Sequence, residues 1–118
     1  MSSKYIFKAA DTFSRKVVLD TQQLQQHIIE DSGHIEMADD PKSIEKTVTK
    51  PDFIFESSTN PVRDVYFAKG AHKDYTNEYV KVVVDFSDPY RGFVVSAWTQ
   101  PDVKGSIGVK KYEKVTSI

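Results

Sequence analysis

The chain has 118 residues, 39% of them hydrophobic and 28% charged, with a formal net charge of −1 and no cysteine. That length suits a single domain spanning residues 1–118 and excludes two good cores. The missing cysteines exclude disulfides, thiolate zinc sites and a cysteine nucleophile. The charge balance argues against a bulk electrostatic nucleic-acid binder. It still leaves room for a local basic patch from Lys69 and Lys73, or from Lys104, Lys110, Lys111 and Lys114. No apolar run is long enough to span a bilayer, and MSSKYIFKAAD lacks the apolar stretch of a secretory signal. The expectation is a cytoplasmic protein with no membrane partner.

In chain order, KYIFK (4–8) alternates weakly and RKVVLD (15–20) is apolar at its centre, and each is compatible with a short strand. Asp20 or Thr21 can cap the helix-forming stretch TQQLQQHIIED, where Leu24 and Ile28 share one face and His27 lies at its margin. Gly33 ends that helix in the manner of a C′ glycine. Asp40-Pro41 reads as an N-cap followed by proline at the first helical position. Ile44 and Val48 give the second helix its apolar stripe, and Pro51 stops it.

From residue 52 the period changes to two. FIF (53–55) is a short apolar run, STNP (58–61) is turn chemistry, and VRDVYFAK (62–69) alternates. EYVKVVVDF (78–86) is the clearest strand, and FVVSAWTQ (93–100) is its hairpin partner across SDPYRG. The tail from residue 101 has room for an edge strand near Ser106 to Tyr112. The predicted architecture is α+β: two short N-terminal helices packed on a four-stranded, mostly antiparallel sheet.

Imidazoles titrate near neutral pH, so His27 and His34 suit the proton transfers of RNA cleavage. A surface position on a helix explains either one equally simply. His72, in the polar loop GAHKDYTN, reads as solvated. His27 and His34 lie seven residues apart, ~10.5 Å along a continuous helix, too far to share one zinc ion. No HExxH pattern, glycine-rich phosphate loop or GxSxG elbow is present, and no metal or other cofactor is expected. Tyr66 and Lys69 offer a phenol and an ammonium to a phosphate. Ser96 and Trp98 share one strand face, with Thr99 on the other. Ser96 can hydrogen-bond a phosphate, and Trp98 is either a base-stacking platform or a core aromatic. Glu30, Asp31, Glu36, Asp39 and Asp40 read best as a solvated, helix-capping face.

Taken in order, His27-Ile28, His34 with Glu36-Met37, Pro51-Asp52, Tyr66 with Lys69, Val82-Val83-Val84 and Val94-Val95-Ser96-Ala97-Trp98 form a pattern. That pattern resembles the phage-associated branch of the barnase/EndoU/colicin/RelE-like nucleases, over about residues 15 to 108. Ile35 stands where that family usually has proline, Ser96 replaces threonine but keeps a hydroxyl, and Trp98 replaces tyrosine. The resemblance implies metal-independent RNA cleavage of the toxin or phage-conflict type. RNA, with tRNA one candidate, would be the substrate, and a cognate inhibitor protein a partner. It further implies His27 and His34 in proton transfer, Lys69 and Ser96 at the phosphate, and Tyr66 and Trp98 as substrate contacts. The alternatives are a non-catalytic member of the same fold that binds a protein or RNA, and a phage or mobile-element accessory protein that assembles through an exposed sheet edge.

Overall fold

The computed structural model describes residues 4–115. One sheet holds seven strands: β1 (Tyr5–Ala10), β2 (Lys16–Asp20), β3 (Phe53–Ser57), β4 (Arg63–Lys69), β5 (Tyr79–Asp85), β6 (Gly92–Gln100) and β7 (Ile107–Glu113), in the order β1-β2-β6-β5-β4-β3-β7. All pairs are antiparallel except β2 with β6, which run parallel through Val17↔Gly92 and Val18↔Phe93. Three helical segments follow β2: a π-helix (Gln23–Asp31), α1 (Glu36–Asp39) and α2 (Lys42–Thr49).

The α+β class stands, but the expected four-stranded sheet with two N-terminal helices does not: the sheet is seven-stranded and mixed, and two strands precede the helices. The reason is physical. β1 and β2 are five or six residues long, and β7 buries almost nothing, so none carries a strong alternating pattern. The parallel β2–β6 contact joins segments far apart in sequence, and no turn residue announces such a pairing.

The central hairpins follow the period-two pattern except at a register shift in β6. Tyr66, Val80, Val82, Val84, Val94 and Ala97 face one side and are buried against Leu24 and Ile28 of the π-helix, Met37 of α1, and Ile44 and Val48 of α2. Burying each of the larger aliphatics contributes ~1.5–3 kcal/mol. Asp20 Oδ1 accepts the Gln22 N–H (2.7 Å), as an N-cap would. Asp40 does not cap α2 with its side chain, because its carboxylate turns outward to accept the Lys73 N–H (3.0 Å). The first helix bonds at i→i+5, with the Ser32 N–H on the His27 carbonyl (3.1 Å), and Gly33 follows at φ +70°, a left-handed conformation suited to glycine.

Beyond Phe93, β6 has no strand on its β2 side, because β2 reaches only to Phe93. Helix covers that edge. Gln23 Nε2 donates to the Val95 carbonyl (2.8 Å), and Glu36 Oε2 accepts from the Thr99 N–H (3.0 Å) and hydroxyl (3.2 Å). The sheet also curls until its two ends meet. Phe13, in the β1–β2 turn, packs edge-on against Tyr112 of β7 (6.4 Å), and Arg15 reaches Asp64 of β4 (2.8 Å). Among the described residues, no helix is long and apolar enough to cross a membrane.

Candidate nucleic-acid interface

The face of the sheet opposite the helix-covered core carries a groove of about 860 Å³. Its floor is Val65 of β4 and Val83 of β5, with Val95 and Ser96 of β6. A β-bulge builds part of that floor. The β5–β6 register passes from Val83↔Ser96 to Val84↔Val94, so Val95 is an extra residue, and both Val95 and Ser96 line the groove. One wall is the outer side of the π-helix, with Gln23, His27 and Ser32. The other is made by the β3–β4 turn (Ser57, Thr59) and the β6–β7 loop (Lys104, Gly105, Ser106). Ser57 Oγ fixes that turn by accepting the Thr59 and Asn60 N–H groups (both 3.2 Å), and the Ser58 N–H bonds the Ser106 carbonyl (2.9 Å), tying the two parts of the wall together.

The groove's lining holds His27, Arg63, Lys81 and Lys104, several hydroxyls and, among the described residues, no aspartate or glutamate, while Asp31, Asp85 and Asp102 pair with His27, Arg63 and Lys104 from outside it. Arg63 stands directly across from Asp85, and Nε is 3.0 Å from its carboxylate. The Ser87 hydroxyl, with the Ser87 N–H and Arg63, holds the Asp85 carboxyl below the usual carboxylate range. Among the described residues Lys81 has no such partner. Nζ donates to the carbonyls of Lys104 (3.0 Å) and Gly105 (2.7 Å), and burial pulls the ammonium below the usual lysine range.

The residues expected to carry chemistry divide between the two faces. His27, Ser96 and Trp98 line the groove. His27 is largely exposed, with Nδ1 3.4 Å from the Asp31 carboxylate. His34 is half-buried beside the groove, stacked on Trp98 with ring centroids 5.0 Å apart at 22°. On its β5 side, Trp98 meets the Lys81 ammonium 4.8 Å from its ring centroid, and its own Nε1 donates to Gln100 Oε1 (2.9 Å). The indole thus already carries an imidazole and an ammonium against its ring.

Tyr66 and Lys69 do not join this group. Tyr66 lies on the helix-covered face at 0% exposure, donating to Asp11 Oδ2 (2.5 Å) and accepting from Arg15 Nη2 (3.1 Å). It belongs to a buried network in which Asp64 also binds Arg15 and Lys111. Lys69 closes β4 at the end away from Arg63, exposed, with its N–H on Asp52 Oδ2 (2.7 Å). Alternation had separated Tyr66 from Val65, but only the fold shows which of those two faces is packed. His72, read from sequence as solvated, is fully buried. Its Nε2–H donates to the Glu36 carbonyl (2.7 Å), and its Nδ1 accepts the Asp74 N–H (3.1 Å), which fixes the neutral tautomer and leaves both nitrogens satisfied.

The residues missed from sequence are Arg63 and Lys81. A signal existed for Lys81: it interrupts the valines of β5 at a position facing away from Val80 and Val82, in what proves to be a central strand. Among the described residues, no three histidine, aspartate or glutamate side chains gather as metal ligands would. No family model, curated protein or solved structure matches the chain.

Proposed function

We propose that the chain is a metal-independent endoribonuclease that holds a single-stranded segment of RNA along the open face of its sheet. One observation carries this reading: a protein of net charge −1 gathers His27, Arg63, Lys81 and Lys104 around one groove whose lining, among the described residues, holds no carboxylate. Such segregation suits a phosphate backbone.

The chemistry follows from the groups present. His27, its ring oriented by Asp31, takes the proton of a ribose 2′-hydroxyl. The 2′-oxygen then attacks the adjacent phosphorus, and the bond from phosphorus to the 5′-oxygen breaks. His34, beside Trp98 at the groove, gives a proton to that leaving oxygen. The products are a 2′,3′-cyclic phosphate and a 5′-hydroxyl, with no net change in protons. Ser96 hydrogen-bonds a phosphate oxygen. Tyr66 and Lys69 take no part. RNAs with exposed single strands, such as tRNA loops, are the substrate class, and the cytoplasm is where such an enzyme meets them.

Binding without cleavage is the second reading. It is favoured by one observation: His34 stacks on Trp98 and does not itself line the groove. Incubation of total RNA and tRNA with the purified protein in excess EDTA separates the two. Cleavage that survives EDTA and falls by ~100-fold or more in His27→Ala and in His34→Ala supports the nuclease. Retained binding with no cleavage supports the second reading. Neither binding nor cleavage by folded protein removes both.

A further inference from the structure

We propose that Lys81 is the phosphate-binding cation of the groove, one ammonium hydrogen meeting a non-bridging oxygen of an RNA phosphodiester while the other two hold the groove wall. The nature of the ligand rests on the RNA reading above; the anion site rests on geometry. Lys81 is only 4% exposed, yet it lines the groove, and among the described residues no carboxylate lies in that lining to neutralise it. Burying an ammonium without a carboxylate is costly, and the Lys104 and Gly105 carbonyls and the Trp98 and Phe67 rings offset only part of that cost.

Tying down the β6–β7 loop does not require a charge. Gln100 does the same work with an amide, Nε2 donating to the carbonyls of Asp102 (2.5 Å) and Lys104 (2.9 Å). Lys81 adds bonds to Lys104 and Gly105 and brings a full positive charge with them. The loop is also shaped around the ammonium. Gly105 adopts φ +94°, and a Cβ there would lie 2.8 Å from Lys81 Nζ. An ammonium has three donors, and these two carbonyls take two. Burial pulls this ammonium below the usual lysine range, so an anion at the groove would stabilise its charged form. Arg63 and Ser96 line the same groove.

The test uses Lys81→Met, which keeps the length of the stem and removes the charge, with a labelled oligouridine titrated over a range of NaCl concentrations. The expected result is a ~10-fold loss of affinity and a salt dependence of log K shallower by ~0.7, one phosphate contact fewer on a single strand. A purely structural lysine would leave that slope unchanged in folded protein, and this outcome overturns the proposal. Wild-type protein gives a second readout that needs no variant: NMR of the lysine Nζ groups during titration with inorganic phosphate. A saturable shift at Lys81 is expected, and its absence overturns the anion site. A Lys81 shift with phosphate but no binding of oligouridine keeps the anion site and removes the RNA reading.

Discussion

Replacing Tyr66 with phenylalanine separates a structural role for this residue from the substrate contact its sequence position suggests. The change removes one hydroxyl from a side chain at 0% exposure and leaves no cavity of consequence. The lost bonds are the donation to Asp11 Oδ2 (2.5 Å) and the acceptance from Arg15 Nη2 (3.1 Å). No charge is left without a partner. Asp11 keeps the Phe13 and Arg15 N–H groups and the Arg15 side chain, and Arg15 keeps Asp64. The cost is therefore that of two charge-assisted hydrogen bonds, ~3 kcal/mol or more, and not that of an orphaned buried ion. For a domain of this size that lowers Tm by ~12 °C.

The pH dependence is a sharper signature. Burial first, then the Asp11 carboxylate, raises the Tyr66 phenol well above the usual tyrosine value of 10.0. Folding therefore favours the protonated phenol. The stability it adds is fully present below pH 10.0 and is lost above it, because the unfolded chain releases the proton while the folded one retains it. Urea unfolding from neutral pH to above pH 10 should show wild type losing ~1.4 kcal/mol per pH unit relative to Tyr66→Phe once the phenol ionises in the unfolded chain. Oligouridine affinity of the folded variant should match wild type. Parallel stability curves, or a weakened affinity at full folding, would refute the placement of Tyr66 in a structural network.

Other substitutions give separate outcomes. Lys69→Ala should change oligouridine affinity by less than about twofold, since the ammonium lies outside the groove; fluorescence anisotropy measures it. His72→Ala should cost ~2–4 kcal/mol in urea unfolding, from a lost buried ring and two lost hydrogen bonds, with groove binding per folded molecule unchanged. Gly92→Ala should destabilise by ~1–3 kcal/mol, because its Cβ would lie 2.5 Å from Phe86 and 2.6 Å from Val84; calorimetry reads this directly.

What the sequence disclosed was local. The alternation in β4 and β5 set their faces, the bulge at Val95 broke it in β6, and Ile44 with Val48 marked the buried side of α2. The left-handed Gly33 was legible as a helix end. Illegible features depended on distant partners. The β2–β6 pairing joins Val17 and Val18 to residues more than seventy positions away. The role of Tyr66 depends on Asp11 and Arg15, which the curl of the sheet brings over it. His72 sits in a stretch of polar residues, and only the Glu36 carbonyl, delivered by a four-residue helix, explains its burial. His27, Ser96 and Trp98 were legible only within a larger set that also held His34, Lys69 and Tyr66, while the cations of their groove were missed, because Lys81 and Arg63 look like ordinary strand charges until the opposite face is known to be packed.

The most direct measurement maps where RNA rests, by backbone and side-chain NMR of wild-type protein titrated with an oligonucleotide whose 2′-hydroxyls are replaced by hydrogen to block cleavage. The predicted shifts fall on Lys81, Val83, Val95, Ser96 and Trp98, with Lys69 and Tyr66 unmoved. Shifts centred on the helix-covered face, or none at saturating oligonucleotide, would contradict an RNA site on the open face of the sheet.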